Sequence, residues 1–171
     1  MAAEIFYAED GEIYVCTTGS SPSSSTQYSD YLTEISVSGG ERGTEQILLL
    51  GQTSNQQNSI TRENPQEQYE TSLTAIARDH SFQAMVNGDT SGGGDIKTVK
   101  GARDRTARDI YYRFDDGTSQ IEIKFESAYG ISTELSVDAE GYLEETINFN
   151  CLAKNYQYKY VADKSGGSTL F

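Results

Sequence analysis

Between residues 110 and 151, apolar and polar side chains alternate with a period of two in one segment after another. Ile110, Tyr112 and Phe114 come first. Asp115-Asp116-Gly117-Thr118 then reads as a hairpin turn. Ile121, Ile123 and Phe125 alternate with Glu122, Lys124 and Glu126. Ala128-Tyr129-Gly130 reads as a further turn, and Ile131, Leu135 and Val137 as the strand after it. Asp138-Ala139-Glu140-Gly141 turns the chain again, and Leu143, Ile147, Phe149 and Cys151 close the set. Successive side chains of a strand point to opposite faces, so this period means strands with one buried face. Evenly spaced strands divided by turn signals favour a sandwich or a barrel. The 12 tyrosines and 16 glycines agree, since tyrosine suits strands and glycine suits turns.

The first half adds strands of the same kind and one helix. Residues 12–17 read as a short strand, and residues 19–26 as a Ser/Pro-rich linker. The ordered domain is expected to start near Tyr28. In the next segment Tyr31, Thr33, Ile35 and Val37 share one face, and Leu32, Glu34, Ser36 and Ser38 the other. Gly39-Gly40-Glu41-Arg42 breaks it, and residues 44–50 form a second strand ending in Ile47-Leu48-Leu49-Leu50. A later strand over residues 66–78 sets Tyr69, Leu73, Ala75 and Ala77 against Gln68, Glu70, Ser72 and Thr74, with Ile76 as the exception. Phe82, Met85 and Val86 at i, i+3 and i+4 predict a short amphipathic helix, capped by Asp79 or Ser81 and stopped at Gly88. Residues 89–107 read as a charged, Gly-rich surface loop, and the Tyr-rich tail after Leu152 as a frayed or swapped arm. The expected division is 1–27, strand and linker; 28–152, an all-β sandwich or barrel with one short α-helix; and 153–171, a C-terminal arm.

Several functions are disfavoured. The net charge of −13 leaves no basic footprint for nucleic acid. Such acidity keeps an assembly soluble, lines a surface that nucleic acid must pass without sticking, or marks a high-salt, halophilic proteome. No apolar run approaches the roughly 18 residues that span a membrane, and the N-terminus lacks a signal-peptide pattern. Synthesis in a cytoplasm is expected, with no membrane partner. Cys16 and Cys151 read as two buried free thiols, with a disulfide left open. His80 is the single histidine, so a zinc site lacks ligands and a nucleophile lacks a base. Neither enzyme, metal nor cofactor is indicated. Asp115-Asp116-Gly117 is read as a turn rather than a calcium site. Gly92-Gly93-Gly94-Asp95 has no Lys-Ser/Thr after it and is not a phosphate loop. The basic cluster Lys97, Lys100, Arg103, Arg105 and Arg108 suits acidic protein surface better than nucleic acid.

The unusual stretch is the uncharged loop Gln52, Thr53, Ser54, Asn55, Gln56, Gln57, Asn58 and Ser59. A small domain rarely projects a loop like this unless it touches something, and ordering it by contact with another chain is the functional reading.

The order of these parts resembles the major tail tube proteins of long-tailed, siphovirus-type phages or archaeal viruses. Two strands (31–38 and 44–50) precede a long hairpin loop (51–60). Asn64-Pro65-Gln66-Glu67 then leads into strand 73–78 and helix 79–88. Arg113 to Thr118, Ala128 to Ile131 and Tyr142 to Phe149 are similar to that family's closing strands. The resemblance spans residues 28–152 and rests on order and spacing. It implies a homo-oligomer of six-fold rings stacked into a tube, with a terminator, a tape measure and tail tip proteins as partners. Viral DNA would pass through the lumen without specific binding. It places the protein in the virion tail, assembled in the host cytoplasm. The hairpin loop would reach the next ring. The polar strand faces would line the lumen, with Glu34, Ser36, Glu45, Glu70, Ser72 and Thr74 as candidates. The alternatives are an inner-tube protein of a contractile injection system and a sugar-binding β-sandwich module. The latter expects exposed Trp, and this chain has none.

Overall fold

The computed structural model describes residues 11–23, 26–29, 32–39, 44–48, 59–63, 68–77, 81–87, 106–137, 141–163 and 170, with the backbone alone for 44–48 and 59–63. The strands are β1 (Gly11–Thr17), β2 (Leu32–Gly39), β3 (Thr44–Leu48), β4 (Ser59–Glu63), β5 (Gln68–Ile76), β6 (Arg108–Asp115), β7 (Gln120–Val137), β8 (Leu143–Leu152) and β9 (Tyr156–Val161). One short helix, α1 (Ser81–Asn87), lies between β5 and β6. The fold is an all-β sandwich with one short α-helix among the described residues.

β7 makes the sandwich. It is 18 residues long and serves two layers. Its first half pairs with β6 and β9, and β6 pairs in turn with β1. Its second half pairs with β8, then β5, then β2. We call these the front and back layers. Ala128-Tyr129-Gly130, expected as a turn, is instead the middle of this one strand. The chain bends there without reversing. Ser127 takes a left-handed conformation at φ 53°, and the pairing with β8 slips between Gly130 and Ser132. Bulges of this kind bend and twist a strand without ending it.

Asp109 holds the bend. Its carboxylate is 2% exposed. One oxygen accepts from Ser127 N at 2.8 Å, and the other from Gly19 N at 3.0 Å, past the end of β1. Gly130 allows the close approach of α1, since a Cβ at this position would lie 2.9 Å from Val86 Cγ2.

The core lies between the layers. Ile13, Val15, Ile110, Tyr112 and Phe125 face Leu73, Ala75, Ile147, Phe149 and Cys151, and Phe82, Met85 and Val86 of α1 join them. Opening this core at Phe125 or Phe149 would cost about 3–5 kcal/mol. Thr71 Oγ1 donates to Ser36 O, so the Tyr112 hydroxyl donates to Thr71 Oγ1 and ties the layers together. Burial raises the Tyr112 phenol pKa far above its ordinary value. Glu145, 3% exposed, turns its carboxylate to Gln83 N at 2.8 Å and so satisfies a first-turn amide of α1.

Several expectations shift. The chain before residue 28 is not separate: β1 pairs with β6 over its whole length, and Ile13 and Val15 enter the core. The tail is not a loose arm, because β9 pairs with β7 and Leu170 N donates to the fully buried Glu122 at 2.6 Å. Arg113 and Gln120 complete the partners of that carboxylate. The 115–118 turn is present, with Gly117 at φ 94° and the Asp115 and Asp116 carboxylates accepting from the turn amides. Cys16 and Cys151 are both buried and free. His80, Asp79 and most of the charged 89–107 stretch lie outside the described residues. No helix among the described residues is long and apolar enough to cross a membrane.

Candidate functional site: a polar strand face between two open edges

The back layer has a core face and an outward face, and the strand register assigns every residue to one of them. Glu34, Ser36 and Ser38 of β2 stand opposite Thr74, Ser72 and Glu70 of β5. Those three stand opposite Thr146, Asn148 and Asn150 of β8. Asn148, Thr146 and Glu144 stand opposite Ser132, Glu134 and Ser136 of β7. Residues opposite each other in a ladder share a face. The outward face is therefore a continuous field of Ser, Thr and Asn carrying Glu34, Glu70, Glu134 and Glu144, with no Lys or Arg in these positions. Hydroxyls and amides hold it together across the strands. Thr74 and Thr146 meet at 2.9 Å, and Asn148 Nδ2 donates to Ser132 Oγ at 3.0 Å.

Five of the six lumen candidates, Glu34, Ser36, Glu70, Ser72 and Thr74, are thus brought together on this face. Glu45 is not among them. It lies on β3, opposite Arg62 of β4, in a separate two-stranded sheet. Simple alternation also misplaced one pair in β2. A register shift between Leu32 and Glu34 lets Leu32 pack on the core, while Thr33 turns outward and its single hydroxyl hydrogen is shared between Thr74 O and Glu144 Oε1. The bulge absorbs one residue and reverses the faces before it. Of the loop candidates, residues 52–58 lie outside the described residues, and Ser59 is the first residue of β4, opposite Leu48.

The polar half of β8 was missed, although Glu144, Thr146, Asn148 and Asn150 alternate with its apolar residues. The second half of β7 is expected as a separate strand after a turn at 128–130, with its apolar residues alone named, so Ser132, Glu134 and Ser136 are additions to this face.

Both rims of the back layer are open. Among the described residues, β2 pairs only with β5, and the second half of β7 only with β8. Residues 36–39 and 134–137 are exposed on both faces, which is unusual for strands next to a core. On the core-side face of these rims sit Val37, 40% exposed, Leu135, 46%, and Val137, 67%, with Leu143 beside Val137. An exposed edge strand with an apolar face is a template for pairing with another chain. Chemistry is not gathered here. Among the described residues there is no cluster of three His, Cys, Asp or Glu side chains suited to a metal. Burial pushes the Cys151 thiol up to about 11, so it stays protonated and unreactive near neutrality.

No protein-family model and no curated protein matches this sequence. Solved structures do. The sheath/tube terminator of an extracellular contractile injection system, PVC, in its extended state superposes with a TM-score of 0.52 and 12% identity, over 93% of this chain and 99% of that one. The tube-terminating cap of the anti-feeding prophage AFP gives 0.51 and 14%, over 94% and 95%. This chain shares its fold with these two tube-end proteins. The SPP1 tail tube is also similar, at 0.49 and 16%, over 93% of this chain and 81% of that one.

Proposed function

We propose that this chain is a structural ring subunit of a tail-type tube. Copies join through the two open rims of the back layer, and the acidic polar face lines a lumen. The observation that carries this is the pairing of the rims in direction, polarity and number. β7, β8, β5 and β2 alternate in direction, and four is an even count, so β2 runs opposite to β7. In a rotationally symmetric ring, β7 of the next copy points the same way as β7 of the first. β2 of one copy and β7 of the next then meet antiparallel, as every other pair in the layer does. An odd count would force one parallel seam per subunit. The faces match too. Ile35 and Val37 continue into Leu135 and Val137 on one side, and Glu34, Ser36 and Ser38 into Ser132, Glu134 and Ser136 on the other. Closing the sheet on itself removes both edges.

A face without cations suits a conduit for DNA, since carboxylates repel phosphates and hydroxyls bind them weakly. Resemblance to the long-tailed viral family supports a major tail tube subunit, six to a ring, with the 51–60 loop reaching the next ring. The two tube-end proteins of contractile systems favour a second reading, a ring that closes the end of a contractile machine's tube. The first reading expects long tubes from the purified protein, and the second expects single rings.

The seam is tested by cross-linking. One preparation carries Val37→Cys, a second Leu135→Cys, the pair that meets when Ile35 and Val37 run antiparallel to Val137 and Leu135, and the two are mixed and mildly oxidised. Disulfide-linked heterodimers, which only contact between copies can form, are expected. Monomers alone in this mixture would refute the seam.

A further inference from the structure

The outward face of the back layer ends in a hollow. β8 stops at Leu152, and a single 3-10 turn, Ala153–Asn155, carries the chain across to β9 in the front layer. β7 makes the same crossing at its bend around Ser127. Where the two crossings meet the end of β5 lies a cavity of about 370 Å³. Small-molecule sites run from about 300 to about 1,000 Å³, so it is large enough for one small ligand. Paired strands bring four residues to it: Gln68 stands opposite Leu152, and Asn150 opposite Tyr129. The turn adds Lys154 and Asn155.

This lining differs from the rest of the face. Tyr129 is 48% exposed and Leu152 39%, an apolar wall where the rows before it carry hydroxyls. Lys154 brings a cation past the last rung of the ladder. Among the described residues, no hydrogen bond or ion pair engages the side chains of Gln68, Tyr129, Asn150, Lys154 or Asn155. Nearer the middle of the face the side chains hold each other, Thr74 with Thr146 and Asn148 with Ser132. Polar groups that converge on a hollow and leave one another unbonded are available to a ligand.

The kinds of group present select the ligand. Each amide offers both donors and an acceptor. A simple anion would use only the donors and leave three amide oxygens turned towards negative charge, whereas neighbouring hydroxyls use both. A tyrosine ring offers a flat apolar surface to the C–H face of a sugar ring. One ammonium matches one negative charge. A phosphate monoester carries up to about two, and would meet Glu70, which stands opposite Asn150 in the same row. We infer that this cavity binds an acidic saccharide, a pyranose carrying one carboxylate. The carboxylate pairs with Lys154, the hydroxyls with the amides of Gln68, Asn150 and Asn155, and the ring lies on Tyr129. The cavity uses neither open rim, so the inference stands apart from the ring reading, and single subunits and rings should bind alike.

The test titrates the full chain with glucuronic acid, with glucose and with adenosine monophosphate, followed by the NMR shifts of the Asn and Gln side-chain amides. Saturable shifts are expected with glucuronic acid, and binding about fivefold or more weaker with glucose, which lacks the charge-assisted contact. Lys154→Met should lower the affinity for glucuronic acid about tenfold, to the level of glucose, and leave glucose binding unchanged. Tyr129→Ala should weaken both sugars. Both residues are exposed, so an unchanged Tm is expected for each variant. Shifts that never saturate with glucuronic acid would overturn the inference. Wild-type affinity in both variants would place the sugar elsewhere and overturn it too. Adenosine monophosphate binding as tightly as glucuronic acid would mark a nucleotide site and overturn the saccharide assignment.

Discussion

Replacing Asp109 by Ala removes the acceptor for two buried backbone amides, those of Ser127 and Gly19. A hydrogen bond to a charged group contributes about 1.5–3 kcal/mol, so the two together are worth about 3–6 kcal/mol. Relief of the desolvated carboxylate offsets part of this, leaving a net loss of about 2–4 kcal/mol. The left-handed Ser127 would also lose the contact that holds it. For a chain of 171 residues, each kcal/mol lowers Tm by about 2–4 °C, so a fall of about 5–15 °C is expected by thermal circular dichroism. Asp109→Asn keeps one acceptor oxygen and should fall between wild type and Ala. The consequence extends to assembly. The bend at Ser127 carries β7 from the front layer to the rim of the back layer, so Asp109→Ala should also lower ring yield at temperatures where the subunit is still folded. A Tm within about 2 °C of wild type would show that the carboxylate does not hold the bend.

Val137→Lys acts at the rim itself. Full burial of Val is worth about 1.5–3 kcal/mol, and two thirds of that is still available at Val137, so each seam should lose about 1–2 kcal/mol. Sedimentation should show ring formation weakened about tenfold with monomer stability unchanged; unaltered rings would put Val137 outside the seam. Alkaline pH should destabilise the fold. Burial holds the Cys151 thiol up to about 11 and, with Asp109 adding to it, the Tyr111 phenol up to about 12. The folded state therefore keeps protons that the unfolded chain releases, and stability falls as pH rises from about 9 to about 12. A Tm independent of pH between about 8 and about 10.5 would contradict this. Glu34→Lys with Glu70→Lys should preserve assembly and slow DNA release from a particle, most at low salt, because added cations recruit phosphates; unchanged kinetics at low salt would show that the charge of this face does not govern transit.

Most strands were legible from the sequence because their burial is one-sided. In 143–152 and 68–76 a core side chain follows each polar one, and the alternation survives into the structure. Three things were hidden for physical reasons. Ala128-Tyr129-Gly130 has the small residues of a turn, yet a tertiary contact, Asp109 to Ser127, makes it a bend in one strand, and no local pattern reports a partner 18 residues away. The bulge after Leu32 changes face parity with no sequence signal beyond one misplaced Leu. β1 and β9 looked peripheral because a Ser-rich stretch and a Tyr-rich composition suggest loose ends. Their place in the front layer depends on pairing with β6 and β7, far away in sequence. The polar face was half legible: Glu34, Ser36, Glu70, Ser72 and Thr74 followed from alternation, whereas Glu134 required knowing that β7 continues.

The central claim is that the open rims of β2 and β7 join copies into a closed, hollow ring. Negative-stain electron microscopy of the purified protein tests it most directly. The account predicts ring-shaped particles, or tubes made of them, with a stain-filled central hole and one uniform diameter. Particles that stay monomeric at high protein and salt concentration, with both rims exposed and unpaired, would contradict it.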